Sequence, residues 1–311
     1  MSDSLAPSGI DLPSPTLSAR LAELAGYLAA PAAGRLTEEQ RALALGVARR
    51  LVQRIAIELD PGLDLDTLWQ DWVSGGIPAA PRLAAPCFAR AEEHRWRMQT
   101  MPYVAVRPSE EADAPDADAT KPQDAVPPTP VEGAYLALRI ADGRRRDALG
   151  NPCIALADLD PELLHTLLLD IAAWQLARID GGRDRGTRLG DAVNRLQAKL
   201  TDARGVDAAA VAYHAALSAE NAVTAAAEAA IAGHDWPAVI ALAAAAHGQR
   251  YDAMALALLT AQAAALPSLL VPLRLERTAI APLEASLARL AARALSDDVA
   301  ADLAPPPENG R

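Results

Sequence analysis

The chain has 311 residues and a formal net charge of -11, and 51% of its residues are hydrophobic while only 4% are aromatic. This length predicts one large hydrophobic core or two ordinary ones, packed mainly by alanine, leucine and valine. The acidic balance disfavours a general role in binding nucleic acid or anionic membranes, because both surfaces repel negative charge.

The N-terminal residues lack the basic stretch followed by an apolar run that a secretion signal requires. The two cysteines, Cys87 and Cys153, each lie beside an apolar segment, which indicates reduced, partly buried thiols. Residues 253–273 carry no charge, but Pro267 and Pro272 interrupt them, so they predict buried core helices and no membrane span. We therefore expect a cytoplasmic protein.

An N-terminal helical module is predicted over residues 15–104, after a disordered N-terminus at 1–14. Leucines at helical spacing (Leu17, Leu21, Leu24 and Leu28) predict its first helix. Thr37 and Gln40 form a capping box that predicts a long helix ending at Asp60. Four arginines lie mostly on the outer face of this helix: Arg41, Arg49, Arg50 and Arg54. They either bind an acidic partner or a phosphate-bearing ligand, or simply form a solvated face.

The run RLTEEQRALALGVARRLVQRIAIEL, residues 35–59, resembles the opening helices of an uncharacterised all-helical domain family of high-GC bacteria. In that family a T/S-E-E-Q-R-A-L start precedes an arginine-bearing amphipathic helix. The resemblance covers about a tenth of the chain. It implies an all-α fold and no catalytic residues.

Two shorter helices complete the N-terminal module. The first carries Trp69 and Trp72, and the second begins at Pro86 and runs through Phe88, Ala91 and Trp96. Clustered indoles either line a ligand groove or partner pocket, or they form the core of a small module.

A Pro-rich acidic linker is predicted over residues 105–131, where helical patterning stops. Residues 107–130 contain six prolines and six carboxylates. Such a composition is typical of disorder. Its carboxylates could fold back onto the arginines of residues 41–54 or onto Arg144–Arg146 and compete with an acidic partner.

The C-terminal module is predicted over residues 132–297, followed by a disordered tail at 298–311. Residues 135–156 fit either a short β-hairpin, because Leu136, Leu138 and Ile140 alternate with other residues, or a short helix. Asp160 predicts the cap of an apolar, central helix. An alanine-rich helix is expected from Asp207 through Ile231, followed by short helices that form an α-hairpin bundle.

The five histidines form no H-E-x-x-H motif and no helical ligand pair, so the sequence predicts no metal site. His165 and His214 lie within predicted helices, as the acceptor histidine of a phosphotransfer bundle does. Neither is followed by a cation that would assist the transfer. Their ordinary interpretation is structural.

The glycine-rich loop at residues 180–190 precedes a predicted helix and contains Arg183, Arg185 and Arg188. Free amides and guanidinium groups could together hold a phosphate. The alternative is a flexible, solvated connection between helices.

The sequence therefore predicts an all-α protein without a cofactor and with no evident catalytic group. The leading hypothesis is a non-enzymatic adaptor or regulator that binds a protein partner through Arg41, Arg49, Arg50, Arg54, Trp69 and Trp72. The alternatives are a phosphorelay component that uses His165 or His214, and a phosphate-ligand binder. A homo-oligomer is compatible with the alanine-rich surfaces.

Overall fold

The structure, a computed structural model, describes residues 20–22, 24–25, 36–105, 128–178, 183–201, 203–291 and 293. These residues form twelve α-helices and two 3₁₀ turns, without any strand or sheet. The all-α prediction is confirmed. The expected disordered regions at 1–14 and 298–311, and most of the expected linker, lie outside the described residues. In the described part of the chain no helix combines the length and the apolarity needed to cross a bilayer.

Residues 20–22 and 24–25 are helical, as predicted, and the next three helices are α1 (Glu38–Leu59), α2 (Leu65–Gly75) and α3 (Ala80–Ala105). The predicted capping box starts α1, because the Gln40 amide donates to Thr37 Oγ1 and the Thr37 amide donates to Gln40 Oε1, both at 3.2 Å. Asp64 caps α2 through a 3.1 Å bond from the Thr67 amide. The helix predicted from Pro86 begins earlier, at Ala80, so α3 is the longest described helix.

The ambiguous segment 135–156 begins with a helix, α4 (Pro130–Gly143). Thr129 caps it through the Glu132 amide at 3.2 Å, and Pro130 occupies its first turn. The strand alternative is wrong for residues 135–143. Its only trace among the described residues is an isolated antiparallel bridge between Arg146 and Pro152.

The next two helices are α5 (Pro161–Arg178) and α6 (Arg183–Thr201). As predicted, Asp160 caps α5, where its Oδ1 accepts a 2.9 Å bond from the Leu163 amide. The glycine-rich segment is not a loop throughout, because residues 183–190 form the first turns of α6.

The single helix expected from Asp207 through Ile231 is wrong: α7 (Val206–Ala219) and α8 (Val223–Ala232) lie there instead. The chain turns at Asn221, whose φ of 55° ends α7. Four further helices follow, with tight turns at His234 and Gly248 that also have positive φ: α9 (Trp236–His247), α10 (Tyr251–Thr260), α11 (Leu266–Leu270) and α12 (Arg277–Ala288).

Two hydrophobic clusters fill the interior. The first joins apolar residues of α1, α2 and the first half of α3 to others on α5 and α6. The second joins α4 and α7–α12, and it also contains Trp96 from the second half of α3. Helix α3 packs on α1 and on α10, so one helix contributes to both clusters.

Candidate functional site

The second half of α3 carries charged side chains into the interior. Arg90, Glu92, Glu93 and Arg95 are all buried, and Arg97 is only 12% exposed. Buried charges are rare unless they are paired, because they lose their hydration. Arg95 accordingly pairs with Glu92 and Glu39, each at 2.9 Å.

Glu93 lies at the centre of a buried ion network. Its carboxylate contacts the guanidinium groups of Arg145 at 2.8 Å and of Arg90 and Arg97 at 3.2 Å, and Tyr251 Oη donates to it at 3.1 Å. Burial alone would raise the pKa of Glu93, but the three guanidinium groups outweigh it and hold that pKa well below its usual range. The network therefore keeps Glu93 ionised and fixes its arginines.

Arg97 connects this network to the surface. Its Nη1 and Nη2 donate to Asp142 Oδ1 and Oδ2 on α4, both at 2.7 Å. Bidentate pairs of this kind are geometrically specific as well as strong. This pair joins α3 to α4 beside a cavity that Arg97 also lines.

A cavity of about 820 Å³ opens between the second half of α3, α4, the 146–151 turn and the start of α9. The residues that line it include His94, Arg97, Met98, Arg139, Arg146 and Trp236. A second cavity, of about 510 Å³, lies between α1 and α3 and shares His94 and Met98 with the first. We call the two adjoining cavities the α3 groove.

The aromatic wall of the α3 groove is held rigidly. Trp236 stacks on Trp96 with ring centroids 4.5 Å apart and an interplanar angle of 18°. Its indole Nε1 donates to Thr100 Oγ1 at 3.1 Å. Since both ends of the indole are fixed, the face of the groove is present before any ligand binds.

Cationic groups outnumber anionic ones along this wall. Asp235 is the carboxylate of the lining, and it is already engaged by Tyr135 Oη at 2.5 Å and by Arg139 Nη1 at 3.1 Å. Arg146 is exposed, and its side chain makes no ion pair or hydrogen bond with the described residues.

His94 lies where the two cavities meet. Burial and the surrounding arginines Arg90, Arg146, Arg97 and Arg50 lower the pKa of its imidazole to about 4. It is therefore neutral at neutral pH. It can give or accept a hydrogen bond there but adds no charge to the groove.

The predicted arginine face of α1 is largely occupied by the chain itself. Arg41 pairs with Glu38, and Arg49 Nη2 pairs with Asp66 at 2.9 Å. Arg50 Nε donates to the Pro152 carbonyl at 2.8 Å, and Arg54 Nη1 contacts the Arg144 carbonyl at 3.4 Å. Two of the four arginines thus bind the residues on either side of the 146–151 turn, which lines the α3 groove.

The two predicted tryptophans of α2, Trp69 and Trp72, are buried in the first hydrophobic cluster. Of the histidines, His165 is exposed and its Nδ1 lies 2.6 Å from Gln197 Nε2, while His214 is half-buried on α7. The structure does not bring either histidine to the α3 groove.

The arginines of the glycine-rich segment lie on α6. Arg185 Nη2 pairs with Asp60 Oδ2 at 3.2 Å, and Arg188 is exposed. The side chain of Arg183 lies outside the described residues. Arg185 and Arg188 line a separate cavity beside the end of α1.

The α3 groove was not predicted from the sequence. The signal for it is the segment R-A-E-E-H-R-W-R, residues 90–97, where charges of both signs alternate within a helix that contains buried aromatics. No group of three or more metal-ligating side chains occurs among the described residues. The search for related proteins found no matching family model, no matching curated protein and no matching solved structure.

Proposed function

We propose that the protein is a non-enzymatic, cytoplasmic adaptor or regulator whose α3 groove binds an acidic, partly apolar segment of a protein partner. The observation that carries this proposal is the lining of the larger cavity: three arginines face it, the side chain of Arg146 makes no ion pair or hydrogen bond with the described residues, and Asp235 is already engaged.

The charge of the groove favours an anionic ligand. A guanidinium group without a carboxylate partner attracts carboxylates of an incoming chain and accelerates their association. The net acidity of the whole molecule disfavours the binding of an acidic partner to surfaces that lack such arginines.

The shape of the groove favours a peptide over a compact molecule. Small-molecule pockets typically enclose about 300 to 1,000 Å³. Here a cavity of about 820 Å³ continues past His94 and Met98 into a second one of about 510 Å³. Met98 is 52% exposed at the junction, and Leu149 is 88% exposed at the rim. Exposed methionine adapts to varied apolar side chains, as peptide-binding surfaces require.

The test uses the full-length protein and a short fluorescein-labelled peptide in which glutamate and leucine residues alternate. Fluorescence anisotropy should show saturable binding that weakens as salt is raised. Arg146→Glu should raise the Kd at least about tenfold, which is ~1.4 kcal/mol. Met98→Glu should also raise it, because the peptide crosses the junction.

Arg274→Glu is the matched control, because Arg274 is exposed, lies outside both cavities and makes no ion pair with the described residues. Its Kd should equal that of the wild type. Equal binding of a peptide with lysine in place of glutamate would contradict the proposal, as would equal losses from Arg146→Glu and Arg274→Glu.

A further inference from the structure

A second charged cavity, remote in sequence from the α3 groove, lies between the end of α1 and one face of α6. It encloses about 560 Å³. Arg185, Arg188 and Arg195 line it, at spacings of three and seven residues that place them on one side of the helix. Leu59, Leu189 and Ala192 are buried and give it an apolar floor.

Asp60 organises this cavity but leaves most of its positive charge available. Its carboxylate accepts bonds from the Gly62 amide at 2.9 Å, Gln175 Nε2 at 2.5 Å and Arg185 Nη2 at 3.2 Å. The amide of Gly62 and the side chain of Gln175 lower the pKa of Asp60, despite partial burial, so it stays ionised. Asp60 therefore holds Arg185 in place and cannot also neutralise the other arginines.

Arg188 and Arg195 make no ion pair or hydrogen bond with the described residues, and both are exposed. Asp191, which lies between them in the sequence, is the remaining carboxylate of the lining. The cavity thus presents two guanidinium groups and one carboxylate that form no ion pair or hydrogen bond within the described part of the chain.

We propose that this cavity binds a phosphate-bearing small molecule with an apolar or aromatic part. Planar guanidinium groups match the oxygens of phosphate, and Arg185 lies in the first turn of α6, where the helix dipole is positive. Arg188 and Arg195 are two helical turns apart, about 10 Å along the axis. That distance fits a diphosphate, or a phosphate and a second anionic group, while the apolar floor contacts the rest of the molecule.

The test is calorimetric titration of the full-length protein with inorganic pyrophosphate and with adenosine diphosphate. Both should bind saturably, with the nucleotide tighter because its base and ribose reach the apolar floor. Arg188→Ala and Arg195→Ala should each weaken binding about tenfold. Alanine is a strong helix former, so neither change should unfold α6.

Asp191→Asn distinguishes a binding site from a merely structural surface. Removing the free carboxylate should strengthen pyrophosphate binding about threefold, a gain that damage to the fold would not produce. Arg274→Ala, at an exposed arginine outside both sites, should leave pyrophosphate binding unchanged. The proposal is overturned if neither probe binds saturably, or if Asp191→Asn and Arg188→Ala both leave the affinity of the wild type.

Discussion

Glu93 shows how one residue can determine the acid stability of this fold. Its folded pKa is depressed, so its contribution to stability is fully present above the pKa of an unfolded glutamate, about 4.3, and is lost as the pH falls towards the folded value. The free energy of unfolding should therefore decline steeply below about pH 5.

Glu93→Gln should lower the free energy of unfolding at pH 7 by about 3 to 5 kcal/mol, because Arg90, Arg97 and Arg145 stay buried without their shared carboxylate. Urea unfolding at several pH values between about 3 and about 7 measures the change in the free energy of unfolding. The variant should also lose part of the slope at low pH. Glu38→Gln, at an exposed pair with Arg41, should stay within about 0.5 kcal/mol of the wild type. A similar cost for the two changes would contradict the role given to Glu93.

Helix caps could be predicted from the sequence because their cause lies within a few residues of the cap. The caps at Thr37 and Asp160 follow from side-chain oxygens next to free amides, and the structure has both. The buried charges of residues 90–97 could not be predicted in the same way. Charged side chains are normally exposed, and two partners of Glu93 are far away in the sequence: Arg145, just after α4, by 52 residues, and Tyr251, on α10, by 158.

At the scale of elements, α4 shows where periodicity misleads. Leu136, Leu138 and Ile140 alternate as in a strand, yet the helix buries Leu138 and Ala141 and leaves Leu136 and Ile140 about half exposed. The decisive signal was the Thr129–Glu132 capping box with Pro130 between, which favours a helix regardless of the alternation.

The two geometries of α4 make opposite predictions for alanine substitutions. In a strand the three apolar side chains would share one face, whereas in the helix Leu138 alone is buried. Leu138→Ala should lower the free energy of unfolding by about 2 to 5 kcal/mol. Leu136→Ala and Ile140→Ala should each change it by less than about 1 kcal/mol. Thermal or urea unfolding measures these changes. Three similar losses in the free energy of unfolding would support a strand instead of the helix.

At the scale of the whole molecule, helices that are far apart in the sequence pack together. The sequence predicts modules at 15–104 and 132–297, and that division remains a prediction. The first hydrophobic cluster nevertheless takes residues from both ranges, because α5 and α6 pack on α1. Contacts between distant elements leave no trace in composition or periodicity, so the sequence predicted most of the helices but not which helices pack together, nor the α3 groove.

Cutting the chain between residues 116 and 117, through an inserted protease site, tests whether the two parts depend on each other. We expect the fragments to remain associated in size-exclusion chromatography without denaturant. Two of the contacts that would hold them are the Trp96 indole to Ser286 Oγ at 2.7 Å and Arg95 Nη2 to the Ala291 carbonyl at 2.9 Å. Separate elution of two folded fragments would show that the parts are autonomous modules.

The stacked indoles of Trp96 and Trp236 give the molecule an optical property of its own. Because the ring centroids lie only 4.5 Å apart, we expect the excited states of the two indoles to couple and to split the ultraviolet circular-dichroism band into a couplet. One ring comes from α3 and the other from α9, and Trp236 also lines the α3 groove. The same spectroscopic band should therefore report whether α3 and α9 are packed together and whether the α3 groove, which Trp236 lines, is intact.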